Sequence, residues 1–203
     1  MYPVFLKLAD RKCLVVGGGK IAARKADALL RARARVTVVA LEPDEQIKQW
    51  AAERRLELLT RIYSDGEAAA YFLVVAATNN RATNAFVYND AESAGRLVNT
   101  VDDPKLCNFF LPAIVSRGDL EVAVSTGGLF PTLAKKVKAD IDAMLPDAYS
   151  RLVPLLHDYR QRLMRTEPDP ETRKRRLNTL LTSPECAAFL QGDTVQLTKR
   201  LLE

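Results

Sequence analysis

An α/β fold built on a doubly wound parallel sheet is predicted by three observations. A short apolar run ends in a glycine triplet, an amphipathic helix pattern follows directly, and β-branched runs then alternate with helical stretches to about residue 112. The 203-residue chain has room for one medium domain and a smaller one, and its 48% hydrophobic content supplies an ordinary globular core.

Cys13-Leu14-Val15-Val16 reads as the first strand, and Gly17-Gly18-Gly19 with Lys20-Ile21-Ala22 completes the pattern G-x-G-x-x-A at the entry to a helix. Gly17 permits the tight turn. Gly19 lets the main chain approach a pyrophosphate without a Cβ in the way, and Ala22 lets the helix pack closely on the strand. The free amides at the helix start then face phosphate. The motif alone is weak, so its context decides. Residues 21–32 place Ile21, Ala22, Lys25, Ala26, Leu29 and Leu30 on one helical face, and residues 36–41 form a β-branched run suited to a buried parallel strand. Leu41 and Glu42 end it. An acid about 20 residues past the motif accepts hydrogen bonds from the adenosine ribose and repels a 2′-phosphate, which favours NAD over NADP. Together these make a Rossmann-type site.

Residues 44–55 have helical character and 56–59 read as a third strand. Residues 71–77 give the strongest strand signal, stopping at Thr78-Asn79-Asn80. Ligands of open α/β sheets bind outside such carboxyl ends, which makes Thr78 a candidate cofactor contact. A helix over 82–93 and a strand over 97–101, ending at Asp102-Asp103-Pro104, complete the alternation. Ahead of the sheet, Val4-Phe5-Leu6-Lys7-Leu8 is strand-like. Past Pro112 the pattern changes: residues 113–116 and 120–125 flank an Arg117-Gly118-Asp119 turn as antiparallel strands, and a helix runs from 131 to 144. Residues 148–203 are helical, with a break at 166–170. Three regions are therefore expected: a nucleotide domain over 1–112, a small α+β segment over 113–147, and a helical region over 148–203.

The formal charge of +5 suits either a nucleic-acid surface or a cleft for a small polyanion. The densest run, Arg173-Lys174-Arg175-Arg176, has no interleaved aromatic residues for base stacking and reads as a solvated helix face, so no nucleic-acid partner is expected. Cys13, Cys107 and Cys186 form no C-x-x-C pair, which excludes a disulfide framework or zinc ribbon and fits a reducing cytoplasm. No apolar stretch approaches the roughly 18 residues of a membrane span. His157 is the only histidine and has no partner at ligand spacing, so no protein metal site is expected.

Several motifs together carry a family likeness. Tyr2-Pro3-Val4-Phe5, Val15-Val16-Gly17-Gly18-Gly19, Ala23-Arg24-Lys25, Val74-Val75-Ala76-Ala77-Thr78, Asn99-Thr100-Val101-Asp102, Cys107-Asn108-Phe109 and Ala123-Val124-Ser125-Thr126-Gly127-Gly128 are similar to those of precorrin-2 dehydrogenase, the NAD-dependent part of siroheme synthase. The likeness covers nearly all of residues 2–145. It implies oxidation of the tetrapyrrole precorrin-2 to sirohydrochlorin with hydride passing to NAD⁺ and, as in bifunctional members, insertion of Fe²⁺ as a further substrate. It also implies nucleotide contacts at Lys20, Ile21, Leu41 and Glu42, a part for Asp102 in dehydrogenation and chelation, and a place for Thr126 at the tetrapyrrole cleft. The implied assembly is a homodimer that exchanges the segment near 113–147.

The residues themselves go part of the way. Removal of hydride from a reduced tetrapyrrole must be matched by loss of a proton, and a carboxylate at a strand's carboxyl end is placed to take it. Read without the likeness, Asp102 is equally an Asx turn or a cap before Pro104. Lys105 and Arg117, with Lys135 and Lys136, are candidate contacts for an acid-rich substrate, although each taken singly reads as an ordinary surface cation; Asn99 and Thr126 join them, with turn capping the alternative role for Thr126. Arg33 stands where a glycine usually closes the first helix, and Phe130 replaces a common serine. The rival reading is a regulatory module that senses NAD(H) and performs no chemistry.

Overall fold

The computed structural model describes residues 1–202, and side chains through residue 201. Its first compact unit, Met1–Phe110, is built on five strands: β1 (Lys12–Val16), β2 (Arg35–Val39), β3 (Glu57–Leu59), β4 (Leu73–Ala76) and β5 (Leu97–Thr100). All neighbours are parallel in the order β3-β2-β1-β4-β5, which is the doubly wound arrangement. Helices α1 (Lys20–Arg31), α2 (Glu45–Ala52) and α3 (Arg81–Ser93) make the crossovers.

The sheet has a separate core on each face. Cys13, Val15, Val36, Val38 and Val75 pack with Ala22, Ala26 and Leu29 of α1 and Ile47 and Trp50 of α2. Leu14, Val16, Val39, Val74 and Val98 pack with Val87 and Ala91 of α3 and with Tyr63. Two-sided burial explains why these strands read as continuous apolar runs. The Tyr63 hydroxyl donates to Asp90 and accepts from the Ala68 amide, tying α3 to the short 3-10 turn at Glu67–Ala70, which the sequence pattern did not signal.

Helix ends repeat one device. After α1, the Arg33 amide donates to Leu30 and the Ala34 amide to Leu29, with Arg33 at φ 58°: a Schellman motif with arginine in the left-handed position. Arg54 does the same after α2, whereas α3 uses Gly95. The missing glycine anticipated at 33 is therefore a real departure, costing about 1 kcal/mol.

The second unit starts at Leu111. It holds the antiparallel pair β6 (Ala113–Arg117) and β7 (Leu120–Val124), then α4 (Pro131–Met144), α5 (Tyr149–Thr166), α6 (Pro170–Leu181), α7 (Pro184–Leu190) and α8 (Val195–Leu202). Its core is helical, with Leu152, Leu180, Cys186, Phe189, Leu197 and Leu201 buried together.

Two expectations need correction. Residues 4–8 form no strand, and Val4 and Phe5 are exposed: apolar alternation makes a strand only where a neighbour offers hydrogen bonds. Strand β2 also stops at Val39, so Leu41 and Glu42 lie in the following loop.

Candidate cofactor and substrate cleft

The sheet register aligns Val39, Val16, Ala76 and Thr100 in one row at the carboxyl ends of β2, β1, β4 and β5. At the ~4.8 Å strand spacing this row is about 14 Å long. The residues just beyond it are the Leu41-Glu42 loop, the glycine turn, Thr78 and Asp102. Four segments remote in sequence thus meet at one edge.

The glycine turn is locked from both sides. Gly17 sits at φ +124°, and a Cβ there would lie 2.3 Å from the Ala77 carbonyl oxygen; a Cβ on Gly18 would lie 2.3 Å from the Glu42 carbonyl oxygen. The Asp44 amide donates to Gly18 at 2.7 Å, and the Gly17 amide to Val39 at 2.9 Å. The loop bearing Leu41 and Glu42 is therefore clamped beside the turn. A Cβ on Gly19 would meet nothing within 4 Å, and no side chain caps α1 there. A helix amino terminus with an uncapped backbone and open space at its glycine suits a pyrophosphate. Glu42 and Leu41 are exposed beside it, as adenosine contacts would be. The residues present fit a dinucleotide.

Thr78 is held by Asn84, a residue the sequence reading missed. The buried Asn84 amide oxygen accepts from the Thr78 amide at 3.1 Å and its hydroxyl at 2.6 Å, while Asn84 Nδ2 donates to the Thr78 carbonyl at 3.0 Å. The signal lay in Asn80 and Asn84 themselves: Asn80 accepts from the Thr83 amide as the α3 cap, and Asn84 follows one turn later.

A cleft of about 430 Å³ opens here, lined by Thr78, Arg81, Asn84, Thr100, Asp102 and Asp103 among others. Asp102 is exposed and adopts φ 58°, a left-handed conformation that aspartate tolerates better than most residues. The half-buried Cys107 thiol spans its turn: it accepts from the Thr100 amide at 3.2 Å and lies 3.3 Å from the Asp103 carbonyl. Burial pushes that thiol up from its ordinary pKa, so sulfur here is a neutral S–H group. Lys25 of α1 is half-buried, and burial first, then the neighbouring Arg24, lower its pKa against the opposing pull of Asp102. Thr100 is only 3% exposed, and its Oγ1 has no hydrogen-bond partner among the described residues.

The expected substrate residues are placed unevenly. Asn99 is buried, donating to the Phe109 carbonyl at 3.1 Å, and holds the 107–109 segment against β5. Lys105 is exposed in the turn at Pro104–Leu106, outside the cleft lining. Arg117 and Thr126 belong to the second unit. The Arg117 guanidinium, 16% exposed, pairs with Asp142 and Asp147 at 2.9 Å each and donates to the Leu145 carbonyl. That occupation makes it a tether between β6 and α4, because a cation already matched to two carboxylates has little left for a ligand. The Thr126 hydroxyl accepts from the Phe130 amide at 3.1 Å, capping the turn before α4. Among the described residues no group of three His, Cys, Asp or Glu could hold a metal ion, and no helix is long and apolar enough to cross a membrane.

Fold and cleft together define an NAD(P)-binding protein of the Rossmann class, and the sequence family described as "Putative NAD(P)-binding" matches residues 4–113. The chain is 39% identical over 201 residues to siroheme synthase of Methylococcus capsulatus, covering 99% of this chain and 42% of the relative. It is 40% identical over 191 residues to siroheme synthase of Thioalkalivibrio sulfidiphilus, covering 94% and 39%. The solved structure of SirC, a precorrin-2 dehydrogenase, superposes with a TM-score of 0.82 at 30% identity, covering 100% of this chain and 97% of that one. The chain belongs to the precorrin-2 dehydrogenase family, and spans about two fifths of the length of the curated siroheme synthases it matches.

Proposed function

We propose that this chain oxidises precorrin-2 to sirohydrochlorin, with NAD⁺ taking the hydride and one proton released. The observation that carries the proposal is the alignment of the open glycine turn, Glu42, Thr78 and Asp102 along a single sheet edge. Gly17, Gly19, Lys20 and Ile21 form the phosphate cradle. Leu41 and Glu42 hold the adenosine end, and the exposed Glu42 carboxylate disfavours a 2′-phosphate, which selects NAD rather than NADP. Asn84 fixes Thr78 and so the contour of the cleft. Bound nicotinamide supplies the hydride acceptor. Asp102 accepts the proton released by the macrocycle.

The same reading takes Fe²⁺ as a further substrate, liganded by the tetrapyrrole nitrogens, and makes the protein a cytoplasmic homodimer. The dimer is supported by the surface of the second unit's hairpin, α4 and the segments that lead into them, where Leu111, Ile114, Leu129, Phe130, Leu133 and Met144 are exposed apolar side chains. The hairpin packs against α4 and α5, and a second copy would cover the apolar side chains that stay exposed around it.

Purified protein with precorrin-2 and NAD⁺ should produce NADH and the sirohydrochlorin absorption spectrum. Asp102→Asn is the informative variant, since asparagine also accepts the left-handed backbone. It should lower kcat by roughly 100-fold or more with NAD⁺ affinity unchanged. NAD⁺ binding without turnover by the unmodified protein would instead favour the sensor reading.

A further inference from the structure

We propose that Arg81 is the specificity-determining residue that receives a carboxylate of the substrate at the mouth of the cleft, and that Asp103 positions it. The inference rests on the tetrapyrrole reading above. Arg81 is the first residue of α3, where the helix dipole disfavours a cation, so the helix gains nothing from an arginine there. It is also the only cation among the residues lining the cleft. Its side chain is 84% exposed, while that of Asp103 is 17% exposed.

Arg81 Nε and Nη2 both reach the same oxygen, Asp103 Oδ2, at 3.2 Å. Asp103 therefore fixes the direction of the guanidinium from one edge only. A guanidinium carries five N–H donors in a planar fork, so a free edge is left for a bidentate carboxylate. An ion pair this exposed is weak, and a ligand can join or replace Asp103 without large cost. Charge makes the arrangement necessary. Asp102 and Asp103 bring two carboxylates to a cleft that must admit an acid-rich macrocycle, and Arg81 is the group there that offsets one of them. Arg117, the other arginine near a predicted substrate segment, is already paired with Asp142 and Asp147.

The test separates recognition from support of the Asp102 turn. Sirohydrochlorin binding is followed by its fluorescence without NAD⁺, and precorrin-2 oxidation by NADH formation, for the wild type, Arg81→Gln, Arg81→Lys and Asp103→Asn. Arg81→Gln should weaken sirohydrochlorin binding and raise KM for precorrin-2 by about tenfold, a difference of ~1.4 kcal/mol. Its kcat, NAD⁺ affinity and melting temperature should stay near those of the wild type. Arg81→Lys should recover part of the loss. Asp103→Asn keeps an acceptor but loses the charge that directs the guanidinium, and should weaken sirohydrochlorin binding by about two- to threefold at unchanged kcat. The proposal is overturned if Arg81→Gln and Asp103→Asn both lower kcat at unchanged tetrapyrrole affinity, which would make the pair a staple for the turn. It is equally overturned if Arg81→Gln leaves KM unaltered while the wild type is active. A wild type that neither binds nor oxidises the tetrapyrrole would sink the underlying reading itself.

Discussion

The two units solve the burial of a sheet in opposite ways. In the first, four of five residues in each of β1 and β2 and all four of β4 are buried, and helices cover both faces. In the second, only Val115 of β6 is buried and no residue of β7 is, while Leu129 and Met144 are 88% and 80% exposed. The nucleotide unit closes its own core, so small local changes should be felt at its site. The hairpin unit leaves apolar surface uncovered.

Three experiments press on that contrast. The largest effect is expected within the glycine turn, where neighbouring positions should behave differently. Gly17→Ala forces a Cβ onto the Ala77 carbonyl at a backbone conformation few L-residues adopt, and should cost about 2–3 kcal/mol of stability as well as cofactor binding. Gly19→Asp has open space, so the melting temperature should hold while NAD⁺ affinity is lost through repulsion of the pyrophosphate. Calorimetry and thermal melts read both. A Gly19 variant that binds NAD⁺ normally would remove the cradle from this turn.

An intermediate effect is expected in the hairpin unit. Ile114→Asp combined with Leu133→Asp replaces two exposed apolar groups, and should turn a dimer into monomers in light scattering while NAD⁺ binding by the first unit persists. If the unaltered protein is monomeric at micromolar concentration, the proposed dimer fails. The smallest effect is at the end of α1. Arg33→Gly relieves a left-handed arginine and should raise stability by about 1 kcal/mol, a shift of roughly 2–4 °C, without touching NAD⁺ affinity. No gain would mean that the arginine has compensating contacts.

Much of the nucleotide unit was legible in the chain because its signals are local. The buried runs at Val15-Val16 and Val74-Val75, the small residues Ala22 and Ala26 on one helical face, and the glycine triplet each follow from nearby residues. The strand-like look of residues 4–8 misled for the complementary reason: alternation is local, but a hydrogen-bonding partner is not. Site residues divide the same way. Glu42 and Asp102 stand out by their place after a strand, whereas Asn84 and Arg81 look like ordinary helix residues until α3 docks beside β4 and β5. Gly18 was invisible as a requirement, since its constraint is the Glu42 carbonyl from another strand's loop.

From its residues alone, this chain specifies a parallel α/β unit with a dinucleotide turn and an acid after its second strand, because periodicity and backbone permissiveness are properties of short segments. Tertiary packing decided the rest: that Asn84 grips Thr78, that Arg117 is tied to Asp142 and Asp147, and that Arg81 stands at the cleft with Asp102 and Asp103. A side chain's electrostatic partners are chosen by what folds next to it, and linear order carries no record of that choice.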